Sequence, residues 1–348
     1  MERILSRFPV RPVFCFAYGS SVFKQATNMA ASANRMLDLI LAVDDSHGFH
    51  TENLKANPND YPLSLRVAGA SAITRIQEEF GAKVYFNTLV DVEPSLLAGV
   101  DNLAVVPSKL KYGVVSVDHL KRDLMQWESL YVAGRMQKPI RVLHCDNPDI
   151  MGVWQPRNLE MACSAASLFS SHAQYVRRKT RDEPCADISV AKTEFYERIA
   201  MFSYAGDIRM GVAENNNKIQ DLVAGCFEEW NKMYEPVLNR IPGLYVRDDS
   251  FTLRPSSSNV QTWFSVLPKD IRDDVCELLD STEENALQSA SFVGAFGDTL
   301  RDIVRESSTA QTMKGFVSSG PIKSFVYVSE KVKKALASQP KSAAAQMS

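Results

Sequence analysis

The residues best suited to chemistry come early in the chain. Tyr18-Gly19-Ser20-Ser21 closes an apolar run of β-favouring types, Pro12 to Ala17, and a polar, Ala-rich stretch continues to Arg35. That order predicts a strand, a tight turn and a helix. A Gly-Ser turn opening a helix offers backbone N–H groups and a hydroxyl to an anion, with the helix dipole behind them. The next apolar run, Leu37 to Val43, carries one acid, Asp38, near its start. A carboxylate on a strand beside such a turn can hold Mg²⁺ on bound phosphates and align an incoming oxygen, which is what phosphoryl or nucleotidyl transfer requires. The competing reading makes the turn an ordinary connector and Asp38 an unrelated strand acid.

The elements that must position these groups belong to an ordinary folded chain. Its 348 residues set an expectation of two domains. With 45% hydrophobic and 23% charged residues, disordered, collagen-like and coiled-coil classes are excluded. Lys and Arg number 39 and Asp and Glu 41, a net charge of −2 that argues against a nucleic-acid partner. The longest apolar runs fall short of the roughly 18–20 residues that span a bilayer. Six cysteines occur without a Cys-x-x-Cys pair, and they read as free thiols, neither a zinc site nor a disulfide framework. Arg3, Arg7 and Arg11 at helical spacing, with Glu2 as the single acid among them, have the flavour of a transit peptide, although the segment is short and runs straight into a strand.

Strand and helix signals alternate through residues 1–150. Asp44-Asp45-Ser46 reads as turn formers or a cap, because Asp44 lies about 20 Å along the strand from Asp38 at roughly 3.3 Å per residue. His47 to Tyr61 is polar and reads as a long surface loop. Ala70 to Phe80 predicts a helix, Lys83 to Val92 and Leu103 to Tyr112 strands, Asp118 to Gly134 one amphipathic helix, and Arg141 to Cys145 a further strand. The expected architecture is an α/β (α+β) domain with a mixed sheet over 1–150, a helical or winged-helix domain over 151–305, and a C-terminal tail over 306–348. Arg157 to Ser170, Ala191 to Phe202 and Lys218 to Leu238 supply the helices of the second unit.

The turn and the acidic strand together resemble the nucleotidyltransferase superfamily typified by DNA polymerase β, which places two acids on an Asp-hydrophobic-Asp strand. In MLDLILAVDD, Asp38 matches the second acid and Met36 stands where the first belongs; the other register puts Ile40 in the second place. One carboxylate is missing either way. Asn87 and Asp91 are candidates for the third acid's place. A narrower resemblance runs from about Arg3 to Ala335. FAYGSSVFKQA, MLDLILAVDD, HGFHTENLKANPNDYP, VYFNTLV, LKYGVVS, DLMQWESLYVAGRMQKP, SYAGDIRM and SSTAQTMKG look like the mitochondrial translocator assembly and maintenance family.

That resemblance implies a Mg²⁺-dependent CDP-diacylglycerol synthase that is peripheral to the mitochondrial inner membrane on its matrix side. Such an enzyme transfers CMP from CTP to phosphatidic acid, on the route to cardiolipin. In this role Tyr18, Gly19, Ser20 and Ser21 would hold the triphosphate and Asp38 the metal. Lys111, Arg135 and Lys138 would neutralise phosphates of nucleotide or lipid, the alternative for each being a solvated surface charge. His50, Asn53 and Asn87 could reach the nucleotide, and a loop-stabilising role fits His50 and Asn53 equally. Tyr112 and Trp127 invite base stacking, but aromatic residues at helical spacing belong more often to the core. Ser203 to Arg209 either closes over the site or forms a helix cap with a salt bridge.

Over Lys323 to Ala337, Phe325, Val328, Val332 and Leu336 fall on one helical stripe, with Lys331, Lys333 and Lys334 off it. Such a basic amphipathic helix suits the surface of an anionic membrane, or docking onto its own domain. Two rival functions stand beside the synthase: a non-catalytic assembly factor keeping a relic pocket, and a transferase with a soluble acceptor.

Overall fold

The computed structural model describes residues 2–23, 36–93, 96, 107, 109–206, 218–312 and 314. A five-stranded mixed sheet organises the N-terminal part, in the order β3-β4-β2-β1-β5. Its strands are β1 (Phe14–Tyr18), β2 (Met36–Val43), β3 (Tyr85–Asp91), β4 (Lys109–Ser116) and β5 (Arg141–Cys145). β2 and β4 run parallel and the other pairs antiparallel. Alternation along the strands divides the side chains between two faces. One face sends Phe14, Phe16, Ile40, Ala42 and Phe86 into a core shared with the C-terminal helices. The other sends Cys15, Leu39, Leu41, Leu110 and Tyr112 against Ile4, Leu5, Phe8 and Phe49, so that α1 (Glu2–Leu5) and α2 (Ser46–Ala56) cover it.

The segment expected as a long loop is in fact helical. Asp45 caps α2, its Oδ1 accepting from the Gly48 N–H at 2.9 Å. A short 3₁₀ turn, Pro58–Asp60, then leads to α3 (Leu63–Glu79), which is broken at Gly69, where φ is +83°, so that its second part meets the helix expected over Ala70 to Phe80. His, Asn and Gly are poor helix formers, but burial of Phe49, His50 and Asn53 on one side outweighs that weak preference.

The single helix expected over Asp118 to Gly134 is two. α4 (Val117–Gln126) stops at Trp127, which adopts the left-handed conformation, and α5 (Val132–Met136) follows. The cause is Asp123. Its buried carboxylate accepts from the Ser129, Val132 and Ala133 N–H groups at 2.8 Å each and from the Ser129 hydroxyl at 3.0 Å. A capping acid inside the expected helix folds the chain back on itself.

A π-helical turn, Ile150–Trp154, opens α6 (Gln155–Thr180), the long central helix of the C-terminal part. α7 (Lys192–Phe202), α8 (Lys218–Gly225) and α9 (Phe227–Leu238) follow, the last two replacing one expected helix by breaking at Cys226. Three short strands, β6 (Ile188–Ala191), β7 (Leu244–Val246) and β8 (Ser250–Leu253), form a second, antiparallel sheet in the order β6-β8-β7. The expectation here is a helical or winged-helix domain, with no individual strand assigned. The last described helix spans 292–312 and returns to the first sheet, where Gln311 Nε2 donates to the Val84 carbonyl at 3.2 Å. No helix among the described residues is long and apolar enough to cross a membrane.

Candidate active site

The turn and the acidic strand converge. Tyr18 pairs with Asp38 across β1 and β2, and the chain bends at Gly19, whose φ of +85° excludes most side chains. The Gly19 carbonyl accepts from the Val22 and Phe23 N–H groups at 3.1 and 3.0 Å, closing the turn. Ser21 donates its hydroxyl to the Met36 carbonyl at 2.5 Å, tying the turn to the start of β2. A Cβ built on Gly19 would lie 3.5 Å from Asp38 Oδ2. Backbone of the turn and a carboxylate oxygen therefore share one small space. The helix expected after the turn, over residues 24–35, lies outside the described residues.

Parallel register places Lys111 beside Asp38, and its Nζ stands 3.8 Å from Asp38 Oδ1. The same ammonium rests over the Phe86 ring, 4.6 Å from the centroid. Phe86 can lie there because its pairing partner is Gly113: a Cβ at that position would meet Phe86 Cε1 at 2.6 Å and Val84 Cγ1 at 2.8 Å. Arg135, on α5, reaches the same face, its guanidinium 4.9 Å from the Tyr18 ring and 4.3 Å from the Tyr131 ring, and it donates to the Tyr131 hydroxyl at 2.9 Å. The Tyr18 hydroxyl is buried and meets no hydrogen-bond partner among the described residues.

Beyond Arg135 the cations continue. Lys138 is buried, donates to the Ser203 hydroxyl at 2.5 Å and lies 4.9 Å from the Tyr204 ring, which Lys218 approaches to 5.0 Å. Burial first, then the charges of Arg135 and Lys218, hold the Lys138 pKa well below the ordinary lysine value. Arg135, Lys138, Tyr131, Ser203 and Tyr204 line one cavity, joined by Ser307 and Ser308. The first part of the Ser203 to Arg209 segment thus does meet this group of cations; Asp207 to Arg209 lie outside the described residues. Tyr131, Lys218 and the two serines escaped sequence reading, because only tertiary packing brings them together.

Three expected site residues stand elsewhere. His50 and Asn53 are fully buried on the opposite face. His50 Nδ1 lies 3.0 Å from the Tyr61 hydroxyl and Nε2 2.9 Å from Gln77 Oε1. Asn53 donates to the Tyr61 and Tyr112 hydroxyls at 2.8 Å each, and Tyr112 donates to Asp60 at 2.7 Å. Asp60 is closed off by Arg7 at 2.5 Å. Asn87 pairs with Tyr112 and shares that face. Asp91 forms an exposed ion pair with Lys109. Trp127 is core, its indole donating to Asn158 Oδ1 at 2.9 Å. The stripe of Phe325, Val328, Lys331, Val332, Lys333 and Lys334 lies outside the described residues.

Asp38 remains the one strand carboxylate at the turn, and among the described residues no group of three or more His, Cys, Asp or Glu side chains could hold a metal ion. What the arrangement provides is a backbone turn, one carboxylate and a set of cations, a surface built for polyphosphate.

A family model described as phosphatidate cytidylyltransferase, mitochondrial, matches residues 1–334. Relatives bearing that name include one from Rattus norvegicus, 31% identical over 346 residues that cover 96% of this chain and 94% of the relative. One from Xenopus laevis is 33% identical, covering 97% and 94%, and one from Caenorhabditis elegans is 28% identical, covering 97% and 99%. With the match running through turn, strand and cation cluster alike, the chain belongs to the mitochondrial phosphatidate cytidylyltransferase family.

Proposed function

We propose that this chain transfers CMP from CTP to phosphatidic acid, releasing pyrophosphate and forming CDP-diacylglycerol. The observation that carries the reading is the meeting of the Gly19 turn with Asp38, at 3.5 Å from the glycine's Cβ position, beside Lys111. A phosphate oxygen of the acceptor attacks the α-phosphorus of CTP, the bond to the β-phosphate oxygen breaks, and pyrophosphate leaves. The acceptor is a phosphate monoester, mostly dianionic at neutral pH with a second pKa near 6, so no strong base is needed. Alignment and charge neutralisation carry the catalysis. The N–H groups of Gly19, Ser20 and Ser21 cradle the triphosphate. Lys111 neutralises charge developing on it, and Arg135 and Lys138 receive the phosphates beyond.

Mg²⁺ fits the donors present, since this ion is commonly held by one or two carboxylates together with substrate phosphates. Asp38 would hold it, with its Oδ2 toward the turn. When bound, the ion supplies Lewis-acid polarisation of the phosphoryl oxygens.

The larger assignments follow from this reading. The five-stranded sheet with its turn serves as a nucleotidyltransferase core over 1–150, and the helices with the small sheet over 151–305 form a winged-helix-like unit. The tail over 306–348 brings the enzyme to the anionic matrix face of the mitochondrial inner membrane, where its product feeds cardiolipin synthesis. The basic stripe around Lys331, Lys333 and Lys334 supports the last assignment.

Radiolabelled CTP with phosphatidate in mixed micelles provides the test. Labelled lipid is expected in the presence of Mg²⁺, falling by about 100-fold or more in Asp38→Ala, as loss of several kcal/mol of charge stabilisation implies. Full activity in that variant would discard the metal assignment. No labelled lipid from the unmodified protein would leave a non-catalytic assembly factor.

A further inference from the structure

Next to the turn lies a groove that the chemistry at Asp38 does not use. Phe23, Ile140, Val142, Leu159, Met233 and Val237 are among its walls, and its volume is about 430 Å³, within the roughly 300–1,000 Å³ of small-ligand sites. Its buried amide, Gln155, spends its Nε2 on the Met136 carbonyl at 2.6 Å. None of these wall residues has an unsatisfied buried side-chain atom, so nothing in the wall calls for a polar ligand. Glu229 and Lys232 are exposed at the rim. On the π-helical turn nearby, Met151 lines the groove and Val153 is 52% exposed.

The groove adjoins the candidate site at two points of the chain. Phe23 donates its N–H to the Gly19 carbonyl at 3.0 Å, one turn of chain after the glycine that faces Asp38. Pro139, also a wall residue, directly follows Lys138. Anion-binding groups and an apolar trough thus adjoin, which matches a ligand with an anionic head and an apolar tail.

The geometry points to this groove as the seat of one acyl chain of the phospholipid acceptor. The inference rests on the cytidylyltransferase reading and adds where the acceptor's tail lies. Each methylene seated there strengthens binding by roughly fourfold. Segment 24–35 of the same chain and a second copy of the protein are the competing occupants.

The full-length protein is compared with Met233→Trp and Ile140→Trp, using dioleoyl phosphatidate in mixed micelles and water-soluble dihexanoyl phosphatidate. Filling the groove is expected to raise KM for the long-chain acceptor by about tenfold, what losing roughly two seated methylenes amounts to, with KM for CTP and the short-chain acceptor within about twofold. Equal changes for both acceptors, or none for the long one, would overturn the inference. A phosphatidate carrying a diazirine on its acyl chain reads the same point without turnover. Labelled peptides containing Ile140 or Met233 support the groove; label confined to 24–35, to the C-terminal tail or to a dimer contact overturns it. Labelling of the groove in a protein that makes no CDP-diacylglycerol would sink the activity and leave the lipid site standing.

Discussion

Asp38 and Lys111 stand side by side in register on parallel strands, their charged groups 3.8 Å apart and their side chains 25% and 16% exposed. One carboxylate oxygen faces the cation and the other faces Gly19. The ion pair with the lysine thus leaves the second carboxylate oxygen directed at the turn. Lys111→Met is expected to lower kcat/KM for CTP by about 30-fold, the worth of one charge-assisted hydrogen bond of about 2 kcal/mol, with Lys111→Arg recovering part of it. Steady-state kinetics of the two variants checks this, and equal activity in both would remove Lys111 from the site.

Gly113 controls the same lysine from two residues away. Gly113→Ala drives a methyl group into Phe86 and Val84, which is expected to cost about 1–3 kcal/mol in stability. Displacing the Phe86 ring also removes the platform under Lys111. Thermal unfolding together with activity measured well below the transition separates the two effects, and activity should fall even where the protein is folded.

His50 is buried between Tyr61 and Gln77, and a structural role for it is open to test by pH. Burial, partly offset by the hydrogen bond with Gln77, lowers its pKa from 6.5 to about 4. Between those values the unfolded chain takes up a proton that the folded chain refuses. Stability from this group is complete above pH 6.5 and is lost as pH falls toward 4. In His50→Gln the slope of Tm against pH over that window should flatten. Near neutral pH the variant should lose about 2 kcal/mol while KM for CTP stays within about twofold. A KM rise of about tenfold or more with stability unchanged would return His50 to the nucleotide site.

Asp123 holds the break between α4 and α5, and through it the position of Arg135. Burial raises its pKa above the ordinary carboxylate value, against the opposing pull of its backbone and hydroxyl donors. Asp123→Asn puts an amide NH₂ against at least one backbone N–H, that of Ser129 or those of Val132 and Ala133, at a cost of about 3 kcal/mol. Denaturant unfolding should show that loss, and KM for both substrates should rise as α5 loosens.

Turn and acid were legible in the sequence because each is encoded locally, Gly19 by its conformational freedom and Asp38 by its place in an apolar strand. The partnership of Asp38 with Lys111 was not, since parallel pairing of β2 with β4 joins segments between which α2, α3 and β3 lie among the described residues, and no local pattern sets that register. His50 and Asn53 were read into a loop because their types favour one, whereas a network through Tyr61, Tyr112 and Gln77 makes them core. The second sheet stayed hidden since strands as short as Leu244–Val246 carry too few residues to show alternation. Nothing local marks Asp123 within the helix expected over Asp118 to Gly134; its capping role depends on the chain turning back at Trp127.

The central claim is that the Gly19 turn and Asp38 hold one nucleotide triphosphate and its metal between them. A crystal structure with CTP and Mg²⁺ measures this directly. The triphosphate is expected on the backbone N–H groups of residues 19–21, with the ion on Asp38 and Lys111 against a phosphate oxygen. CTP bound away from the turn, or an ion held by other side chains with Asp38 uninvolved, would contradict it.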